Sequence, residues 1–130
     1  MSEATKIDLK KLTEYWNPFE QCIWMKVKKP ITQKEITHAI DKKWCRSPNA
    51  KKDKYMIWDT SLRHVHIKRI AWLVENFDLN YPIEIDFGLS DGDLYISDGN
   101  HRLAAAIYLK KHYIYVNASG AEDLIEEFLF

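Results

Sequence analysis

At 130 residues, with 46 % hydrophobic and 29 % charged side chains, the chain has the size and balance of one domain that folds without metal or disulfide. No window approaches the roughly 18 apolar residues of a membrane helix. No apolar run follows the first six residues, which argues against a signal peptide and for a cytoplasmic location. Formal net charge is zero, yet residues 1–72 carry sixteen Lys and Arg against eight Asp and Glu, and residues 73–130 carry three against eleven, so a +8 half meets a −8 half. The basic half suits nucleic acid or another charged protein partner, and the same pattern also describes two solvated faces that attract each other. Cys22 and Cys45 are too few and too isolated for a disulfide framework or a four-thiolate zinc site, so both read as free thiols.

The first elements are irregular. Leu9, Leu12 and Tyr15 or Trp16 share one face of a short helix predicted over residues 7–16. Asn17-Pro18 ends it, because a residue before proline is pushed out of the helical region. Residues 21–27 read as a strand. Thr32-Gln33-Lys34-Glu35 has the form of a capping box, opening a helix with Ile36, Ala39, Ile40 and Trp44 at helical spacing. Residues 46–54 form a polar, breaker-rich loop, and Trp24, Trp44, Trp58 and Trp72 are expected in the core.

From residue 58 each element is plainer. Asp59-Thr60-Ser61 supplies caps for a helix to about Asn76, its core face marked by Ile67, Ile70, Ala71 and Val74. Asn80-Tyr81-Pro82 turns the chain into the alternating strand 83–87, and Ser90-Asp91-Gly92-Asp93 signals a hairpin to a returning strand at residues 94–96. Asp98-Gly99 breaks that strand, and Asn100 is placed to cap a helix through Lys110. Residues 113–116 form a third strand. A short acidic helix after Gly120 places Leu124 and Phe128 on the core. The order predicts a single α+β domain, a small mixed β-sheet with packed helices: an irregular part (1–57), a core (58–120) and a closing helix (121–130).

The stretch Ser97-Asp98-Gly99-Asn100-His101-Arg102 carries the chemistry. A strand ends, a glycine turns the backbone, and a helix opens whose first N–H groups lack internal partners and sit at the positive end of the dipole. Arg102 can hold a phosphate through two parallel hydrogen bonds, and His101 adds a donor. An arginine in a helix's first turn opposes the dipole preference unless an anion shares the site. Asp98 is an acceptor suited to Mg²⁺, a hydroxyl or a proton, which makes Asp98, His101 and Arg102 the candidate catalytic trio.

Residues 58–120 resemble the ParB/sulfiredoxin-like superfamily. The match is a helix, then Pro82-Ile83-Glu84-Ile85, a hairpin, Ile96-Ser97-Asp98-Gly99-Asn100-His101-Arg102-Leu103-Ala104-Ala105-Ala106, and a closing strand. The resemblance implies binding of nucleotide phosphates, ATP, ADP or another nucleotide with Mg²⁺, by Gly99, Asn100, His101 and Arg102. Chromosome-partitioning members have a second arginine where this chain has His101, and sulfiredoxins have a catalytic cysteine where it has Asn100, so CTP clamping is disfavoured and sulfinic-acid repair is excluded. The turn is nearest the Asp-Gly-His-x-Arg type of the free-serine kinases and of ParB-like domains in phages and plasmids. In the kinase-like members a second acid from the N-terminal region acts as base, for which Glu20, Glu35 and Asp59 are candidates.

Arg63 and His64 open the helix that packs beside this turn in that fold, and reach for a nucleotide or lie in solvent. His64 and His66 are two apart and face different sides of a helix, which disfavours a histidine metal site with His101. Lys42, Lys43, Arg46, Lys51, Lys52 and Lys54 interleave with aromatics as single-stranded DNA- and RNA-binding surfaces do, or form a solvated loop. The expectation is therefore a nucleotide-binding ParB-like domain, with NTP hydrolysis and phosphoryl transfer both compatible. The alternatives are a non-catalytic interaction protein of the kind mobile elements use against a host complex, or a nuclease.

Overall fold

The computed structural model describes residues 4–24, 27–43, 63–88 and 94–130. The elements are β1 (Thr5–Asp8), α1 (Leu9–Thr13), α2 (Gln33–Asp41), α3 (Arg63–Glu75), β2 (Ile83–Asp86), β3 (Tyr95–Asp98), α4 (Asn100–Tyr108), β4 (Tyr113–Ser119) and α5 (Glu122–Glu127). Four strands form one mixed sheet in the order β1-β4-β2-β3. β1 runs antiparallel to β4, β4 parallel to β2, and β2 antiparallel to β3. The α+β class with a small mixed sheet is as the element order implied.

Period-two alternation decides which face of the sheet is buried. Ile83 and Ile85 point inward while Glu84 and Asp86 face out. They pack with Ile96, Ile114, Val116, Leu103 and Ala106, and Phe128 closes the cluster after α5. A second cluster joins Ile36 and Ala39 of α2, Ile70 and Ala71 of α3, and Ala104 of α4. Helix α4 is therefore sandwiched between the sheet and α3. Leu103 and the three alanines after it are all buried. Small side chains let both neighbours approach, so an Ala-rich helix buried on two sides is what the stacking requires.

The capping box forms as read: Thr32 Oγ1 accepts from the Glu35 amide at 3.2 Å, and Glu35 Oε1 accepts from the Thr32 amide at 3.0 Å. The N-terminal elements need correction. The helix expected over residues 7–16 is confined to α1; residues 7 and 8 belong instead to the edge strand β1 on β4, and Asp8 caps α1 by accepting from the Lys11 amide at 3.2 Å. Residues 21–24 make bends rather than a strand, because Trp24 is drawn toward the helices instead of a sheet edge. In α3 the buried positions are Val65, His66, Ile70, Ala71 and Leu73, with Ile67 and Val74 only half-buried. The expected caps at Asp59-Thr60-Ser61, the loop 46–54 and the turn 90–93 lie outside the described residues. Among the described residues, no helix is long and apolar enough to cross a membrane.

Candidate functional site

Gly99 has φ 104° and ψ 15°, a left-handed conformation that side chains resist. A Cβ there would also stand 2.8 Å from Ile83 Cγ2, so glycine is demanded twice over. Helix α4 starts directly after it, and no side chain caps the helix. The expected cap, Asn100, is the first helical residue and its side chain is committed elsewhere. Its Oδ1 accepts from Trp16 Nε1 at 2.8 Å, and its Nδ2 donates to the Ile96 carbonyl at 3.3 Å. Asn100 thus fastens the turn to the segment after α1, and its side chain is not among those lining the cleft below.

A cleft of about 480 Å³ opens between the end of α3 and this turn. Arg69, Trp72 and Asn76 line one wall, Asp78, Tyr81 and Pro82 another, and Asp98, Gly99, His101 and Arg102 the third. The sequence candidates Asp98, Gly99, His101 and Arg102 are thereby brought together. The Arg102 guanidinium lies over the Tyr81 ring, its Cζ 4.0 Å from the centroid. Among the described residues no carboxylate pairs with it. Asp98 is exposed at the end of β3, and Asp78 Oδ1 accepts from the Asn80 amide at 3.0 Å.

The inner end of the cleft holds an arrangement that sequence reading missed. His101 Nε2 lies 2.7 Å from Nδ1 of His66, which is fully buried. The two rings are within 14° of parallel, and the Trp24 indole stacks on both, with centroids 4.8 and 5.2 Å away. Burial pushes His101 well below the usual histidine value of 6.5, and the charges of His66 and Arg69 push the same way. His101 is accordingly neutral at pH 7.

Two other candidates belong elsewhere. Arg63 is consumed by structure: its Nε donates to Glu35 Oε2 at 3.0 Å, its Nη2 to the Pro30 carbonyl at 2.8 Å and to Glu35 Oε1, and its Nη1 to the Lys29 carbonyl at 2.5 Å. Four of its five N–H donors are thus used inside the chain, and Arg63 is not among the residues lining the cleft, so it does not stand beside Arg102 as expected. His64 is exposed and lines a different groove, with His38, Glu35 and Lys68. Glu35 is equally occupied. Burial raises its pKa, but hydrogen bonds from Arg63 and Thr32 and the Arg63 charge outweigh that and hold it below 4.5. Glu20 is exposed and is not part of the cleft wall, and Asp59 lies outside the described residues. Lys42 and Lys43 are exposed after α2, whereas Arg46, Lys51, Lys52 and Lys54 lie outside the described residues.

His66 and Arg69 were detectable in principle. His66 sits four residues before Ile70 and three before Arg69, which places it on the stripe that faces α4. Nothing local marks Trp24, because its role depends on a contact with helices far along the chain. Among the described residues no three His, Cys, Asp or Glu side chains converge as a metal cage. A Mg²⁺ carried on phosphates needs only one or two carboxylates. Comparison with known protein families, with curated proteins and with solved structures finds no match to this chain.

Proposed function

We propose that this cleft binds the phosphate groups of a nucleotide, in the manner of a ParB-like domain. One observation carries the reading: a guanidinium with no carboxylate partner among the described residues, over the Tyr81 ring, stands beside a helix N-terminus that lacks a side-chain cap, inside a cleft of ligand size. In this reading the first amides of α4 and Arg102 hold the phosphates, with Arg69 adding charge from the opposite wall. Trp72 offers an apolar surface to a base or sugar. Asp98 is the carboxylate available to Mg²⁺ arriving with the phosphates or to an acceptor hydroxyl. NTP hydrolysis and phosphoryl transfer to an acceptor both use this arrangement, and product analysis separates them.

A second reading, a protein-interaction module, draws on exposed aromatics away from the cleft, Tyr15, Tyr95 and Phe130. A thermal-shift screen against ATP, ADP, CTP and GTP, with and without Mg²⁺, separates the two. A ligand at about 100 times its Kd stabilises by about 2.7 kcal/mol, roughly 10 °C for a domain of this size. A shift of that order that disappears in Arg102→Ala supports phosphate binding. No shift with any nucleotide supports the interaction module instead.

A further inference from the structure

The buried imidazole pair needs its own account. A histidine with no solvent exposure, bonded at 2.7 Å to a second histidine that lines a cleft, is a costly way to fill a core that apolar side chains would fill well. Two neutral imidazoles at this distance share one N–H, so the Nδ1–Nε2 contact has one donor and one acceptor. A proton added to the pair converts this contact into a charge-assisted bond, stronger than the neutral one. We infer that His66 and His101 work as a proton-holding unit of the phosphate cleft, taking up one proton from solvent when a phosphate binds, with His66 as the positioning residue that fixes the His101 ring. This rests on the phosphate-binding reading above.

The surroundings of the pair support it. Trp24 covers both rings, and an indole face tolerates a cation. Arg69 on α3 is the charge that opposes protonation, and Arg102 and Asp98 stand on the same cleft wall as His101. Helix α2 meets α3 through the apolar Ile36 and Ala39, and its Glu35 carboxylate is engaged by Arg63. Before ligand binding, burial and the charges of His66 and Arg69 hold His101 in its neutral form. A phosphate entering beside Arg69 and Arg102 offsets their field and faces His101 directly. At about 5 Å in a partly polar site this raises the pair's proton affinity on the order of 100-fold. The proton comes from solvent and stays on the Nδ1–Nε2 axis, and no covalent bond forms or breaks.

Calorimetric titration with ADP at about pH 7, repeated in non-phosphate buffers of different ionisation enthalpy, reads this out directly. The slope of observed against buffer enthalpy should give an uptake of about one proton in the native protein. His66→Asn places an amide where Nδ1 was, and His101→Gln places one where Nε2 was. Each keeps a hydrogen bond but cannot ionise, so each should bind ADP with a slope near zero. Nitrogen NMR of the native protein gives the same answer if either variant fails to fold, since ADP should move both imidazoles toward the imidazolium signature. ADP binding with no proton uptake and no such change overturns the inference and leaves the phosphate cleft standing. Absence of binding by ADP, pyrophosphate and inorganic phosphate alike overturns both.

Discussion

Two arginines near the starts of two neighbouring helices make the most instructive contrast in the molecule. Arg63, first residue of α3, has four of its five N–H donors spent on Glu35 and on the carbonyls of Lys29 and Pro30. Arg102, in the first turn of α4, has a tyrosine face on one side and a cleft on the other. Both oppose the helix dipole, and among the described residues only Arg63 is paired with a carboxylate. Residue type and helix position therefore do not tell an arginine tied into the fold from one that faces a cleft; the partner inventory does. Arg63 ties the N-terminal segment to α3, whereas Arg102 lies over Tyr81 on the wall of the cleft.

The strongest way to break the contrast is to remove the frame that aims Arg102. Gly99→Ala combines a left-handed backbone with a Cβ 2.8 Å from Ile83. It should cost about 3 kcal/mol in urea unfolding and abolish ligand binding. Arg102→Ala should weaken nucleotide binding roughly 10- to 100-fold, the loss of a charge-assisted hydrogen-bond pair, while stability moves by less than about 1 kcal/mol. Arg63→Ala should do the reverse. Its hydrogen bonds are only part-buried, so the loss of stability should be on the order of 1–2 kcal/mol, with nucleotide affinity unchanged.

A smaller effect separates the pair His66–His101 from its apolar surroundings. The folded protein holds His101 below 6.5, so the unfolded chain binds more protons as the pH drops. Stability is therefore fully present above about pH 6.5 and declines as the pH falls below it. His101→Gln should flatten that decline in thermal melts between about pH 7 and 5. A further acid-side loss, below pH 4.5, belongs to Glu35 as its carboxylate protonates and releases Arg63.

What could be read from the sequence divides along the same line. The turn was legible because its determinants are consecutive: a strand end, a glycine and an arginine on the wrong end of a helix. The capping box at Thr32 and Glu35 was legible for the same reason. The tie between Arg63 and Glu35 was not, since 28 residues separate them and both side chains look like ordinary solvated charges. Asn100 suits an N-cap by type, but Gly99 already occupies that position and Trp16 claims the amide. The spacing of Leu9 and Leu12 extends the predicted helix back over residues 7 and 8, which are strand because Ile7 answers to a partner more than a hundred residues away, Ile114. The His66–His101 pair needed the packing of α3 on α4, which periodicity alone does not supply.

The most direct test of the account titrates ADP and pyrophosphate into the native protein, Arg102→Ala and Arg63→Ala side by side, at low and at moderate salt. Saturable binding is expected for the native protein and Arg63→Ala alike, weakened by salt, and lost or reduced at least 10-fold in Arg102→Ala. Equal affinity in Arg102→Ala and the native protein would contradict it.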